Sequence, residues 1–113
     1  MAATFDWQIL NIECYPQFEG QTNVVTKIYW KCTASQIEGD ATYTEYVERV
    51  TVLADYVKDD PFTPYEQLTQ EQVLTWVYGE NNATKNRTEE ELQTTINSRI
   101  TPPIVSNPLP WNG

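Results

Sequence analysis

A chain of 113 residues has enough side chain for one hydrophobic core, and its 16 acidic against 7 basic residues leave a formal charge of −9. That balance excludes binding to nucleic acid through phosphates, which needs clustered Lys and Arg, and it disfavours anionic membrane surfaces. The absence of histidine removes the commonest general base and metal ligand, so catalysis and a metal centre are not expected. Hydrophobic content of 40% with 12% aromatic residues places the chain among folded proteins.

The first half reads as strands. Phe5, Trp7 and Ile9 alternate with polar neighbours, and the apolar phase then shifts to Leu10, Ile12 and Cys14. A β-bulge near Ile9-Leu10 would produce that shift. Pro16 and the turn Glu19–Asn23 end the run. In the second strand Val24, Thr26, Ile28, Trp30, Cys32 and Ala34 form the expected core face, with Lys27 and Lys31 on the other. Glu38-Gly39-Asp40 supplies the next turn. A third strand covers about 42–53; both of its faces are mixed, so the buried face is expected to switch along it. The three form an antiparallel meander, to which Asp55–Val57 or the tail could add a fourth strand.

The second half covers the sheet. A connector, 55–68, carries the turn signals Asp59-Asp60-Pro61 and Thr63-Pro64. Thr69 and Gln72 form a capping box, with Leu68 and Val73 at the staple positions around it. A short helix with Val73, Trp76 and Val77 on its apolar stripe then ends at Gly79. A second box, Thr88 to Glu91, is expected to open a helix along which Leu92, Ile96 and Ile100 recur every four residues, with Pro102 stopping it. Each helix is expected to run about three turns, too short to persist unpacked. The fold class is therefore α+β: a three- to four-stranded antiparallel sheet, two short helices and an extended Pro-rich tail, divided as a domain over 1–101 and an arm over 102–113.

The arm carries the functional signal. Pro102, Pro103, Pro108 and Pro110 forbid a helix and a central strand. Ile104, Val105, Leu109, Pro110 and Trp111 nevertheless present apolar surface that water does not favour. A spaced apolar peptide that cannot coil suits a groove, with Trp111 as anchor. The groove lies either on another subunit or on the chain's own sheet. Trp7, Trp30 and Trp76 are read as core. Cys14 and Cys32 are read as buried free thiols, with a cross-strand disulfide as the alternative. Asp55, Asp59, Asp60 and Glu66 do not follow a calcium-loop pattern. No cofactor is implied.

The opening run to Phe5-Asp6-Trp7 stands with several other distinctive segments. These are Asn23-Val24-Val25 through Tyr29-Trp30-Lys31-Cys32, Phe62-Thr63-Pro64-Tyr65 with Thr69-Gln70-Glu71-Gln72-Val73, and Pro108-Leu109-Pro110-Trp111. Together they resemble a small protein family of tailed bacteriophages of marine and cyanobacterial type. The resemblance covers nearly the whole chain, departs around Asn81–Arg87, and brings no catalytic residues. It implies a phage-encoded protein, either part of the particle or expressed in the infected cell. The expected function is a non-catalytic virion-associated structural or interaction module docking through its arm. The alternative is an acidic modulator of a host protein. Expected partners are proteins, further copies of the chain included, and not nucleic acid or membrane. With no basic-then-apolar leader visible, the expected location is the virion or the host cytoplasm.

Overall fold

The computed structural model describes residues 2–54, 57, 61–102, 104 and 106–112. Three strands, β1 (Thr4–Phe18), β2 (Gln21–Glu38) and β3 (Ala41–Val52), make an antiparallel sheet in the order β1-β2-β3. Two helices follow, α1 (Gln70–Tyr78) and α2 (Ala83–Ile100). The architecture is α+β, as the periodicities indicate. A fourth strand is absent among the described residues; Asp55 and Tyr56, at its expected start, lie outside them.

Turn chemistry sets the register. Glu19 (φ 50°) and Gly20 (φ 80°) are both left-handed, the geometry a two-residue hairpin loop needs if its twist is to match the strands it joins. Gly39 (φ 61°) opens the second hairpin. The bulge falls where the apolar phase shifts: Ile9 pairs with Trp30 and Asn11 with Tyr29, leaving Leu10 extra. A second irregularity lies between Glu13 and Cys14, opposite Thr26 of β2. It takes Thr26 off the buried face, so the core face of β2 is Val24, Ile28, Trp30, Cys32 and Ala34 without it.

The sheet has two unlike faces. The helices cover Trp7, Ile28, Trp30, Cys32 and Ala34 with Val73, Val77, Leu92 and Ile96. Trp76 packs partly buried at the margin of this cluster. In β3 the predicted switch of face does not occur: Tyr43, Val47 and Leu53 all pack towards the core from one alternation. The opposite face is solvated. It carries the cross-strand charge pairs Glu13–Lys27 and Lys31–Glu48, with the Lys31 ammonium 4.4 Å above the Tyr46 ring.

Helix α2 departs furthest from expectation. Its 18 residues make about five turns rather than three. It starts at Ala83, because Asn81 and Asn82 take left-handed conformations (φ 55° and 58°) and turn the chain immediately after Gly79. Asn tolerates that region better than other side chains. Thr88 is consequently no cap. It is buried, with Oγ1 unpartnered, and extends the stripe Thr88-Leu92-Ile96 by one turn on the core side. The first capping box forms by half: Thr69 Oγ1 accepts the Gln72 N–H at 3.1 Å, while the Gln72 amide donates to Thr63 Oγ1 at 3.2 Å instead of reaching back.

Both cysteines are free, Cys32 buried and Cys14 half-buried. Burial pushes the Cys32 thiol up to about 12, with the Glu89 carboxylate adding to the shift. A thiol held protonated in this way is a packing group rather than a nucleophile.

Candidate functional site

The arm is rooted where α2 ends. Arg99 Nη1 donates to the Thr44 carbonyl at 3.1 Å and to Glu45 Oε1 at 2.9 Å, and its guanidinium lies 5.3 Å from the Tyr43 ring centre. Ile100 packs against the core, and the Thr101 N–H closes the last turn on the Asn97 carbonyl at 2.9 Å. A cation in the last helical turn also opposes the negative end of the helix. The last turn of α2 is thereby held on β3.

A polar network ties the same end to the amino-terminal segment. The Gln93 amide donates to Gln36 Oε1 at 2.7 Å and to Asn97 Oδ1 at 3.0 Å, and its own oxygen accepts the Ala3 N–H at 2.9 Å. Gln36 is buried and donates in turn to Glu38 Oε1 at 2.8 Å, which holds that carboxyl below its usual range. Each amide here gains partners for the water it lost on burial.

Beyond Thr101 the arm's anchors find no such shelter. Ile104 is 88% exposed, Leu109 49% and Trp111 78%, and Pro110 is exposed as well. Pro110–Asn112 form a single 3-10 turn, a short coil that the prolines still permit. Val105 lies outside the described residues. None of the described anchors is buried against the chain's own sheet. The Trp residues of the body behave differently. The Trp7 and Trp30 rings lie 4.9 Å apart, tilted by 32°, Tyr78 meets Trp7 edge-on at 5.1 Å, and the two indole N–H groups donate to Glu89 and Thr51 at 2.9 Å. A buried indole with its polar edge satisfied is a structural group; Trp111 is not buried.

One feature of the surface escapes a linear reading. Ile9 and Ile12 of β1, with Leu68 and Val73, floor a hollow of about 390 Å³ rimmed by Tyr65 and Gln70. Every described residue lining it is uncharged. The signal in the sequence is slight: apolar residues on an edge strand and in a connector, brought together only by the seating of α1.

Among the described residues no group of three His, Cys, Asp or Glu side chains is arranged to hold a metal ion, and no helix is long and apolar enough to cross a membrane. No curated protein and no solved structure matches the chain. One family model, described as DUF7936, a domain of unknown function, matches residues 2–111. With a match spanning both the sheet-and-helix body and nearly all of the arm, the chain belongs to the DUF7936 family.

Proposed function

We propose that this chain is a non-catalytic protein-interaction module, a virion-associated structural or assembly component of tailed phages, which engages its partner through the arm from Pro102 to Trp111. One observation carries the reading: an exposed Trp111, with Leu109 and Ile104, extends from a helix end clamped to β3 by Arg99. A large amphipathic side chain on a proline-stiffened peptide loses little conformational freedom on docking, and such groups dominate interface energetics. Repetition within a particle multiplies modest contacts of this kind. The resemblance to phage sequences supports the setting, and the lack of histidine supports a non-catalytic role.

The test compares the full chain with one ending at Thr101. Truncation is expected to abolish partner binding and incorporation into purified particles while leaving the melting temperature within a few degrees. Unchanged binding without the arm refutes the reading. The charge of −9 favours a second reading, an acidic modulator steered to a basic host protein. That reading expects an association rate that falls steeply with salt, whereas arm docking depends on salt only weakly.

A further inference from the structure

We propose that the uncharged hollow beside β1 is the receptor for the arm of a second copy of this chain, so that the protein assembles head to tail with itself. The proposal rests on the arm-docking reading above and names the surface that receives it.

Three observations support it. The arm from Pro102 to Trp111 contains no ionisable side chain, in a chain one fifth of whose residues are charged. The described residues lining the hollow over Ile9, Ile12, Leu68 and Val73 likewise carry no charge. Two molecules of charge −9 repel each other, and an uncharged peptide entering an uncharged hollow brings no further like charges together. A partner offering a basic groove would make no use of such an arm.

The volume also suits. About 390 Å³ lies at the lower end of the range of small-ligand sites, enough to seat one indole in an open depression. Tyr65 at the rim supplies an aromatic wall of the kind on which proline-rich peptides pack.

The exposure of the described anchors argues for a second copy rather than the same one. The arm starts where α2 meets Gln36 and Thr44, whereas Ile9 and Ile12 pair with Trp30 and Ile28. About seven residues of β2, or roughly 23 Å, separate the two places, a distance that a ten-residue arm could span at about 3.3 Å per residue. The described anchors Ile104, Leu109 and Trp111 nevertheless stand exposed instead of crossing it. Donor and receptor are therefore different patches on one molecule. A contact between unlike patches is heterologous, and it propagates into rings or open chains rather than stopping at a two-fold dimer.

The experiment is light scattering with the full chain between about 1 μM and about 1 mM. Wild type is expected to exceed 13.1 kDa progressively with concentration. Trp111→Ala spoils the arm, and Tyr65→Glu places a charge on the hollow's rim. Each is expected to weaken assembly by at least about 30-fold, the effect of losing one hot spot. A one-to-one mixture pairs the intact hollow of the first with the intact arm of the second, and it is expected to form a species of twice the chain mass and no larger. Gln70→Glu, at an exposed rim position in the first turn of α1, repeats the test should Tyr65→Glu fail to fold. A wild-type chain that stays monomeric throughout overturns the proposal. If it is monomeric yet captures another protein through the arm, the interaction module stands and self-docking falls. If Trp111→Ala assembles like wild type, both fall. Assembly that survives Tyr65→Glu and Gln70→Glu overturns the choice of receptor.

Discussion

Replacing Ile96 by Ala tests whether α2 is held by packing rather than by its own helical preference. Ile96 is fully buried, one turn after Leu92 on the stripe that α2 sets on the sheet. The change removes three carbons, worth about 0.8 kcal/mol each in transfer from water, or about 2.4 kcal/mol. The cavity left between Leu92 and the strands adds to this, for a total of about 3–4 kcal/mol. Domains of this size are stable by roughly 5–15 kcal/mol, so the loss is a large fraction of the whole. Unfolding entropy scales with length, and for 113 residues 1 kcal/mol corresponds to about 4 °C in Tm. The expected fall is therefore about 12–17 °C. Thermal unfolding followed by far-UV circular dichroism measures this fall and urea unfolding the free-energy loss, with Val52→Ala as control. Val52 is 67% exposed on the solvated face, and its truncation is expected to cost about 0.5 kcal/mol or less. An Ile96→Ala loss below about 1 kcal/mol, or one equal to that of the control, would mean that α2 is not seated on the sheet. The placement of the arm's root would fall with it.

Three further outcomes follow from the same structure. Glu89→Ala leaves the Trp7 indole N–H without its partner and removes the Lys85 bridge at 3.0 Å; a loss of about 1–3 kcal/mol is expected. A double-mutant cycle with Trp7→Phe should recover part of it, and additive losses would show that the bond is idle. Glu19→Asn should stabilise by about 0.5–1 kcal/mol, since Asn tolerates the left-handed φ of 50° that Glu19 now holds before Gly20; a lower Tm would contradict that turn geometry. Alkali should destabilise the fold through Cys32. Its thiol titrates near 9.0 when free of the fold and at about 12 inside it, so the unfolded chain loses its proton first. The contribution is complete below pH 9 and disappears as pH rises through about 12. Cys32→Ala should flatten this limb of the stability–pH curve, and an unchanged curve would refute the assignment.

The amino-acid sequence alone determined the α+β class, the three-strand meander, the bulge at Leu10 and the core face of β2 except at Thr26, which the second irregularity displaces. Each is a local property. Side chains alternate across a strand, so a phase shift between Ile9 and Leu10 reports a bulge wherever the strand lies. The Gly residues at 20 and 39 mark turns because few other residues accept their φ.

Tertiary structure decided what locality cannot. Thr88 has the pattern of a cap, yet the pair of left-handed Asn residues at 81 and 82 starts α2 a turn and a half earlier and turns Thr88 inward. The single buried face of β3 depends on where α2 lies, and so do the ion pairs of Arg99 and Arg49 with Glu45 and Glu91. The arm's apolar residues were legible, because four prolines over ten residues exclude a continuous α-helix there. That Ile104, Leu109 and Trp111 stand away from their own sheet was not. Nor was the hollow between β1 and α1, because contact between residues some sixty positions apart depends on packing and leaves no periodicity in the chain.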